Sequence, residues 1–309
     1  MDPHQLMILR ELGERGSVAA VAQALYVTPS AVSQHLSALQ RDVAVTLTEK
    51  RGRRLVLTPA GMALARAAAG VSVALAEAER ALDAYRAEPA APVTLAGFHS
   101  AGYAWFGALV GALRDHGAPP IRFSDEDLAQ SGFATLVADY DLVIAHRIDH
   151  EQQWPAHVAV TPLLSEPFDV AVPHGHPLAA RTVLGIADVA DERWISPHHG
   201  FPVAGALDVV AVAAGRPLNI VHRINEFFVA GRVVASGDAL ALMPRHTMRP
   251  GSDAGYVLRP FDTLRVGRQI DVLSRPETLL RASVRTVRDA LVAVATSTAR
   301  VETGTRTAD

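Results

Sequence analysis

Hydrophobic residues in the first part of the chain recur at the spacing of short helices. Leucines three residues apart predict a helix over residues 3–15, which stops at Gly16. Ser17 is placed to cap a second helix that has apolar residues on one face. Residues 28–41 repeat the pattern, with valine and leucine recurring every three or four positions. The N-terminal part of the chain is therefore expected to be a three-helix unit.

The segment TLTEKRGRRLVLT, residues 46–58, follows the third helix and changes the period. Its apolar residues alternate on both sides of a glycine-containing turn, which predicts a β-hairpin. Four cations stand at the tip of this hairpin: Lys50, Arg51, Arg53 and Arg54. A basic turn alone is usually only solvated, but after such a helix pair it is typical of a winged helix-turn-helix. We expect these cations to neutralise DNA phosphates and to supply salt-dependent affinity.

The third helix carries a stripe of small hydroxyls and amides instead of the usual glutamate and lysine. Serine is a mediocre helix former, so solvation alone does not explain the stripe. A helix in the major groove must present short donors and acceptors to base edges, and glutamine can pair with adenine. The residues predicted to contact DNA or to position this helix on it are Thr28, Pro29, Ser30, Ser33, Gln34, Ser37 and Arg41. His35 falls toward the apolar side, where a packing role is favoured.

A long helix is predicted to begin at Thr58-Pro59, since threonine caps a helix and proline suits its first position. Its apolar residues are spaced alternately four and three apart, and this heptad seam favours pairing with another helix. The seam consists of Leu64, Ala68, Val71, Leu75, Ala78, Leu82 and Tyr85. Packing of this helix on its own chain is the alternative. The segment AEPAAP, residues 87–92, ends the helix and marks a hinge.

From residue 93 onward, strand patterns alternate with helix patterns, from VTLAGF and YAWFGALVGALRDHG to FFVAGRVVASG and ALALMP. Such alternation argues for parallel sheets that are covered by helices. Two halves of this kind would place a ligand cleft between them, at the carboxyl ends of strands.

Loops that follow the predicted strands would line this cleft. The predicted effector-binding residues are His99, Ser100, Ser124, Asp125, Asp127, Arg147, Pro197, His198, His199, Asn225 and Glu226. The acidic residues, together with Glu126, suit an ammonium or guanidinium group, and the basic residues suit a carboxylate. An amino acid or a small carboxylate is therefore the expected ligand. The alternative, for each of these residues singly, is a solvated loop side chain.

Composition and charge narrow the function classes. The chain has 309 residues, of which 49% are hydrophobic, a formal charge of −3 and no cysteine. Disulfides and cysteine nucleophiles are therefore excluded, and the bulk charge is wrong for a protein that coats nucleic acid. The first residues lack the pattern of a signal peptide, and no uncharged apolar stretch reaches about twenty residues. No association with a membrane is expected.

Motifs of enzymes and metal sites are weak in this sequence. GFHSAG has the spacing G-x-x-S-x-G, whereas a nucleophile elbow needs G-x-S-x-G. His146 and His150 stand four apart, but they fall in a predicted loop, so their rings need not face one point. No glycine-rich phosphate loop is present. The sequence predicts no catalytic residue, no cofactor and no metal.

The first ninety residues resemble the DNA-binding domain and linker helix of the LysR-type transcriptional regulators. The resemblance rests on QLMILRELGERGSVAAVAQALYVTPSAVSQHLSALQ, on the basic wing and on LVLTPAGMALARAA. LQRDVAVTL stands where the family usually has Leu-Glu, a Leu-Gly pair and Phe. VTLAGFHSAG, ADYDLVIAH, FDVAVPHGHPLA and VVASGDALALMP resemble the family's effector domain, although Ala239 replaces a usual glycine. Within the family, VTPSAVSQ is most similar to regulators of basic amino-acid export and arginine metabolism.

The resemblance implies an α/β protein with an N-terminal winged helix-turn-helix, a long linker helix and a two-lobed α/β effector domain like periplasmic binding proteins. It implies a cytoplasmic, non-enzymatic regulator that binds double-stranded promoter DNA as a homodimer or homotetramer, responds to a small-molecule effector and contacts RNA polymerase. A solute-binding protein that does not act through DNA is the alternative, and it leaves the winged domain unexplained. The predicted divisions are residues 1–58 for the winged domain, 59–88 for the linker and dimerisation helix, 89–92 for the hinge, 93–300 for the effector domain and 301–309 for a disordered tail.

Overall fold

A computed structural model describes residues 1–52, 54–82, 91–114, 118–126, 128–148, 153–199 and 201–300. Within these ranges the chain forms a winged helix-turn-helix unit, a long helix and a two-lobed α/β domain. The predictions made for Arg53, Tyr85, Asp127 and the tail lie outside the described residues, as do residues 83–88 of the predicted linker helix and residues 89–90 of the predicted hinge.

The N-terminal unit contains three helices, α1 (Pro3–Arg15), α2 (Val18–Ala24) and α3 (Pro29–Val43), followed by strands β1 (Thr48–Arg51) and β2 (Arg54–Leu57). The two strands pair antiparallel and form the predicted hairpin. Each helix begins at a residue whose side chain accepts a backbone N–H, which satisfies one of the free donors of the first turn. These local signals explain why the three short helices begin where they do.

One apolar core joins the three helices, the hairpin and the first half of α4 (Pro59–Arg80). Leu9 and Val32 are fully buried in it. Gly61 brings α4 against the hairpin so closely that a Cβ there would lie 2.0 Å from the carbonyl oxygen of Leu47. The N-terminal end of α4 is thus fixed to the winged unit by a contact that only glycine permits.

The heptad seam predicted for α4 divides into two parts. The members that pack in the core of the winged unit are Leu64, Ala68 and Val71. For these residues the alternative, packing on the same chain, is correct. The exposed members are Leu75 (51%), Ala78 and Leu82 (52%). Of the seam members that the structure describes, only this second group is available to another helix.

By length and composition alone, α4 is also apolar enough to cross a membrane. A single helix of this kind is weak evidence, because a helix that pairs with another protein helix has the same composition. Arg66 lies within its apolar stretch, and a charge near the centre of a bilayer costs about 2.5–3.5 kcal/mol on insertion scales.

The first lobe of the effector domain contains β3 (Val93–Gly97), α5 (His99–Leu113), β4 (Ile121–Asp125), α6 (Gln130–Leu136) and β5 (Leu142–Ile148). β3 pairs in parallel with both β4 and β5, as the alternating pattern predicts. The helix α10 (Ala282–Arg300) returns to this lobe and packs on α5.

The second lobe consists, in chain order, of α7 (Ile186–Val189), β7 (Arg193–Ser196), α8 (Pro202–Ala214), β8 (Asn219–Arg223), α9 (Phe227–Ala235), β9 (Leu240–Pro244) and β10 (Tyr256–Arg259). β7 pairs in parallel with β8 and β9.

Two long strands, β6 (Ala159–Pro173) and β11 (Gly267–Ser274), join the lobes. β11 pairs antiparallel with β5 and β6, and β6 pairs antiparallel with β9 and β10. The prediction of parallel pairing is therefore correct among β3, β4 and β5 and among β7, β8 and β9, and it is wrong for every pair that includes β6 or β11. These two strands run between the lobes and pair antiparallel with their neighbours.

Candidate nucleic-acid interface and effector cleft

The polar stripe of α3 stands on the exposed face of the helix. Its members Ser30, Ser33, Gln34, Ser37 and Arg41 are all exposed. The opposite face, with Val32, Leu36 and Leu39, is buried in the winged core. The side chain of Thr28 accepts the N–H of Ala31 at 3.1 Å, and Pro29 occupies the first turn, so these two residues start the helix. The whole stripe is therefore free to meet a surface as a unit.

The wing presents its cations to solvent. Lys50, Arg51 and Arg54 are exposed, and Arg51 pairs with Glu49 at 2.7 Å. Of the cations that the structure describes in this hairpin, Lys50 and Arg54 have no salt bridge within the described residues and are available to phosphates.

Tyr26 is a residue of this face that the sequence patterns did not single out. It is 97% exposed and lies in the turn between α2 and α3 with a φ of 53°. Left-handed backbone is uncommon for tyrosine, and no periodicity marks the position, so nothing in the sequence indicated it. His35 is half-buried and packs edge-on against His4 at 5.1 Å between ring centres, which fits the packing role favoured for it.

The cleft between the two lobes contains a cavity of about 30 Å³. The predicted effector residues that line it are His99, Ser100, Pro197, Asn225 and Glu226. The lining residues that the sequence analysis missed are Phe98, His146, Phe201, Phe227 and Arg268. The cavity therefore combines a polar rim with aromatic walls and one buried cation.

His99 connects the lobes across the cleft. Its Nδ1 lies 2.6 Å from Glu226 Oε1 of the second lobe, and its Nε2 lies 3.1 Å from Asp125 Oδ2 of the first. Carboxylates accept hydrogen bonds, and an imidazole can donate from both nitrogens only when it is protonated. In this geometry His99 bridges a carboxylate of each lobe and holds the cleft closed.

Arg268 forms the floor of the cleft and is 1% exposed. It donates from Nε to Glu166 at 2.8 Å, and from Nη2 to Ser100 at 3.0 Å and to Thr247 at 2.8 Å. Its guanidinium also lies 4.7 Å from the ring centre of Phe98. These contacts neutralise the buried charge and join both crossover strands to the start of α5, so Arg268 orders the residues from which the cleft is built.

His146 lies beside this floor with its ring centre 4.6 Å from that of Phe98. Burial holds the pKa of His146 well below its usual value, and the charge of Arg268 lowers it further. The imidazole is therefore neutral at ordinary pH, and its Nδ1 is buried without a hydrogen-bond partner in the described part of the chain. His150, with which a metal pair was considered, lies outside the described residues. Among the residues described, no group of three or more histidine, aspartate or glutamate side chains is arranged to hold a metal ion.

The remaining predicted effector residues lie at different distances from the cavity. The Tyr140 hydroxyl donates to Glu126 at 2.6 Å, which raises the pKa of Tyr140, and its oxygen lies 3.0 Å from the hydroxyl oxygen of Ser124. The backbone N–H of His198 donates to Asn225 at 2.9 Å.

Arg147 and His199 make their contacts away from the cleft cavity. Arg147 lies 3.5 Å from Asp271, because the alternation along β5 turns it away from the cavity. His199 lines a separate cavity of about 570 Å³ on the second lobe, beside α8. The geometry does not support an effector contact for either residue.

Three helices begin at the cleft: α5 after Phe98, α8 after Phe201 and α9 after Glu226. None of the three has a side-chain cap. Backbone N–H groups of a first turn, together with the helix dipole, attract anions. The cleft thus contains anion-attracting helix N-termini together with the carboxylates of Asp125 and Glu226.

Two family models match the chain. Residues 3–62 match the bacterial regulatory helix-turn-helix protein of the lysR family, and residues 86–296 match the LysR substrate binding domain. The chain belongs to the LysR family of transcriptional regulators. Its members bind DNA through the helix-turn-helix domain and small-molecule effectors through the substrate-binding domain. The family and the two-lobed α/β fold class predicted from the sequence are confirmed.

Relatives of known name support the same assignment. The regulator CbbR of Xanthobacter flavus is 30% identical over 258 residues, which cover 80% of this chain and 75% of CbbR. MetR of Haemophilus influenzae is 27% identical over 260 residues, which cover 82% of this chain and 81% of MetR.

Solved structures share the fold. Full-length OxyR from Pseudomonas aeruginosa has a TM-score of 0.64 at 20% identity, covering 94% of this chain and 98% of that one. ArgP from Mycobacterium tuberculosis has a TM-score of 0.63 at 23% identity, covering 96% and 97%. At these identities the likeness concerns the fold alone.

Proposed function

We propose that this regulator reads promoter DNA with the exposed stripe of α3 and changes its DNA contacts when a small molecule enters the cleft. The observation that carries the proposal is the division of α3 into a buried apolar face and an exposed face of short polar side chains. Ser30, Ser33 and Gln34 lie in its first two turns, where they can reach base edges in the major groove. Lys50 and Arg54 of the wing neutralise phosphates and position the helix.

The effector that fits the cleft best is an amino acid or a similar zwitterion. Its carboxylate would meet the uncapped N-termini of the three helices, and its cationic group would replace His99 between Asp125 and Glu226. Opposite charges at the two ends of a ligand match this arrangement. A simple small carboxylate would use only the first of these contacts.

Effector entry requires the lobes to separate. The cavity of about 30 Å³ has room for roughly one or two waters. The His99–Glu226 contact at 2.6 Å bridges the lobes, so a ligand must break it before it can bind. A ligand that binds the open arrangement shifts the population toward it, and this shift is the signal that reaches the DNA-binding unit.

Self-association follows from the apolar surface of α4. Leu75 and Ala78 are exposed on this helix and Leu82 is exposed just beyond its end, and a second copy of the same helix would cover them. The regulator then acts in the cytoplasm as a homodimer or homotetramer, contacts RNA polymerase at the promoter and catalyses no reaction.

The DNA-binding part is tested by fluorescence anisotropy on DNA from upstream of the protein's own gene. Gln34→Ala is expected to change the order of binding affinities among single-base variants of the site. The loss of binding free energy should be about 1–3 kcal/mol where glutamine reads a base. Arg54→Ala is expected to weaken binding to all sequences alike and to make the affinity depend less steeply on salt concentration. Gln23→Ala, at an exposed position of α2, is the matched control.

The effector part is tested by a thermal-shift screen against amino acids, their metabolic relatives and small carboxylates. A shift with one zwitterion that disappears in Glu226→Gln supports the cleft assignment. If ligands stabilise the protein and no DNA sequence is preferred, the chain acts as a solute-binding protein and the regulatory proposal is wrong.

A further inference from the structure

A second cavity lies at the junction of the winged unit, α4 and the first lobe of the effector domain. It measures about 300 Å³, ten times the volume of the closed cleft. Residues from α1, the hairpin, the first half of α4, α6 and the segment before β6 line it. This volume lies at the lower end of the range of small-molecule sites, which is about 300–1,000 Å³.

The wall that the winged unit and α4 contribute is mainly apolar. Leu57, Met62, Ala65 and Ala69 supply it, and Met62 is 44% exposed. A large apolar side chain left open beside a cavity gains contacts when the apolar part of a ligand enters.

Two guanidinium groups in the same lining have hydrogen-bond donors to spare. Arg10 donates from Nε to Glu14 at 2.7 Å and from Nη1 to Glu277 at 2.6 Å, but its buried Nη2 has no partner among the described residues. Arg66 is exposed and makes no hydrogen bond or ion pair in the part of the chain that is described. Spare guanidinium donors beside an apolar wall are the chemistry that binds a carboxylate with an apolar body.

One acidic residue, Glu14, also lines this cavity. Its charge is balanced by Arg10 and by Arg275, both in direct contact with it. Burial alone would raise the pKa of Glu14, but the charges of Arg275 and Arg10 outweigh burial and lower it. Because the negative charge of Glu14 is already paired with two arginines, it does not cancel the attraction of Arg66 for an anion.

We propose that this cavity is a second ligand site, which takes small amphipathic carboxylates such as aromatic or short aliphatic acids. The carboxylate pairs with Arg66 and Arg10, and the apolar body packs on Met62, Leu57 and Ala69. Since the lining comes from both the DNA-binding unit and the effector domain, the ligand binds only while the two are docked. A ligand with this requirement stabilises the docked arrangement and makes DNA affinity depend on a second compound.

The test is isothermal titration of the full-length protein with benzoate, 4-phenylbutanoate and octanoate. Benzamide, which has the ring without the charge, is the neutral control. The variants are Arg66→Gln, which removes the charge at an exposed position, and Ala69→Trp, which fills the cavity. Arg80→Gln changes an exposed arginine of the same helix outside the lining, and Glu226→Gln changes only the interlobe cleft.

The expected result is that at least one carboxylate binds, and that benzamide binds at least tenfold more weakly. The dissociation constant of that carboxylate rises at least tenfold in Arg66→Gln, and its binding disappears in Ala69→Trp. Arg80→Gln and Glu226→Gln keep the wild-type dissociation constant. The proposal is overturned if no carboxylate binds, if Arg80→Gln loses as much as Arg66→Gln, or if the loss occurs in Glu226→Gln instead. It is also overturned if Ala69→Trp changes an oligomer into a monomer in sedimentation velocity, because a second copy then occupies this face.

Discussion

A buried network of charges attaches α1 to the effector domain. Arg275, which follows β11, donates to Glu11 at 2.5 Å and also contacts Glu14, both on α1. Arg15 donates from Nη1 to Asp139 of the first lobe at 2.7 Å. The side chains of Glu11, Glu14 and Arg275 are 5%, 10% and 18% exposed, so water screens these contacts little.

Replacing Arg275 with methionine keeps much of the side-chain volume and removes the charge. Removing one partner of a buried ion pair costs about 3–5 kcal/mol when it leaves the other charge unpaired. Here Glu11 keeps Arg15 at 2.6 Å and Glu14 keeps Arg10 at 2.7 Å, so neither carboxylate is left alone. We therefore expect a loss of about 1–3 kcal/mol, the range for a buried charge that loses one hydrogen bond.

Scanning calorimetry and urea unfolding measure this loss. The DNA-binding unit is expected to melt earlier in Arg275→Met and to separate from the effector domain as its own transition. Arg281→Met is the matched control, because Arg281 pairs with Asp141 at 2.6 Å inside the effector domain and is 40% exposed. Its loss should stay below about 1 kcal/mol. If Arg275→Met and the control lose the same free energy of unfolding and melt at the same temperatures, the role of the network in docking is refuted.

The same network predicts a dependence on pH. The pKa of Glu14 is lowered from its ordinary value of 4.5, because Arg275 and Arg10 outweigh its burial. The carboxylate therefore contributes stability that is fully present above pH 4.5 and is lost as the pH falls through the lowered pKa. As the pH is lowered from 6 to 3, the melting temperature should therefore fall less steeply in Arg275→Met than in the wild-type protein. A parallel fall in both proteins would contradict this reasoning.

Three further changes test other parts of the structure. Glu226→Gln removes the carboxylate that faces His99, so it should open the cleft and weaken a cationic or zwitterionic effector at least tenfold in titration; unchanged affinity would remove Glu226 from the site. Leu75→Arg places a charge on the exposed seam of α4 and should give monomers in sedimentation velocity; an intact oligomer would show that another surface is the main contact. Gly61→Ala drives a Cβ against the Leu47 carbonyl and should cost about 1–3 kcal/mol in urea unfolding, as overpacking does, whereas wild-type stability would contradict the close contact.

The winged unit could be predicted because its signals are local. Caps at Ser17 and Thr28, apolar spacing and the glycine turn of the hairpin each specify structure within a few residues. The spacing of the α4 seam is also a local signal, but it does not predict which surface packs against each part of the seam. Leu64 packs on its own chain and Leu75 does not, and that difference depends on where the helix leaves the winged core.

The cleft could be predicted only in part. Residues in loops after strands, such as His99 and Glu226, reach the cavity because strand ends meet there. Arg268 and Glu166 were missed because they lie inside long strands. They face each other only because β11 pairs antiparallel with β6 as both strands run from one lobe to the other. Arg147 was placed wrongly because the sequence does not reveal which side of β5 faces the cleft.

The most direct test of the central claim is anisotropy binding of the wild-type protein to DNA from upstream of its own gene, against a shuffled sequence of equal composition. Measurements at two salt concentrations separate phosphate contacts from base contacts. We expect the native sequence to bind at least a hundredfold more tightly at both concentrations, with affinity for both sequences falling as salt rises. Equal affinity for the two sequences would contradict the assignment of α3 as a helix that reads DNA.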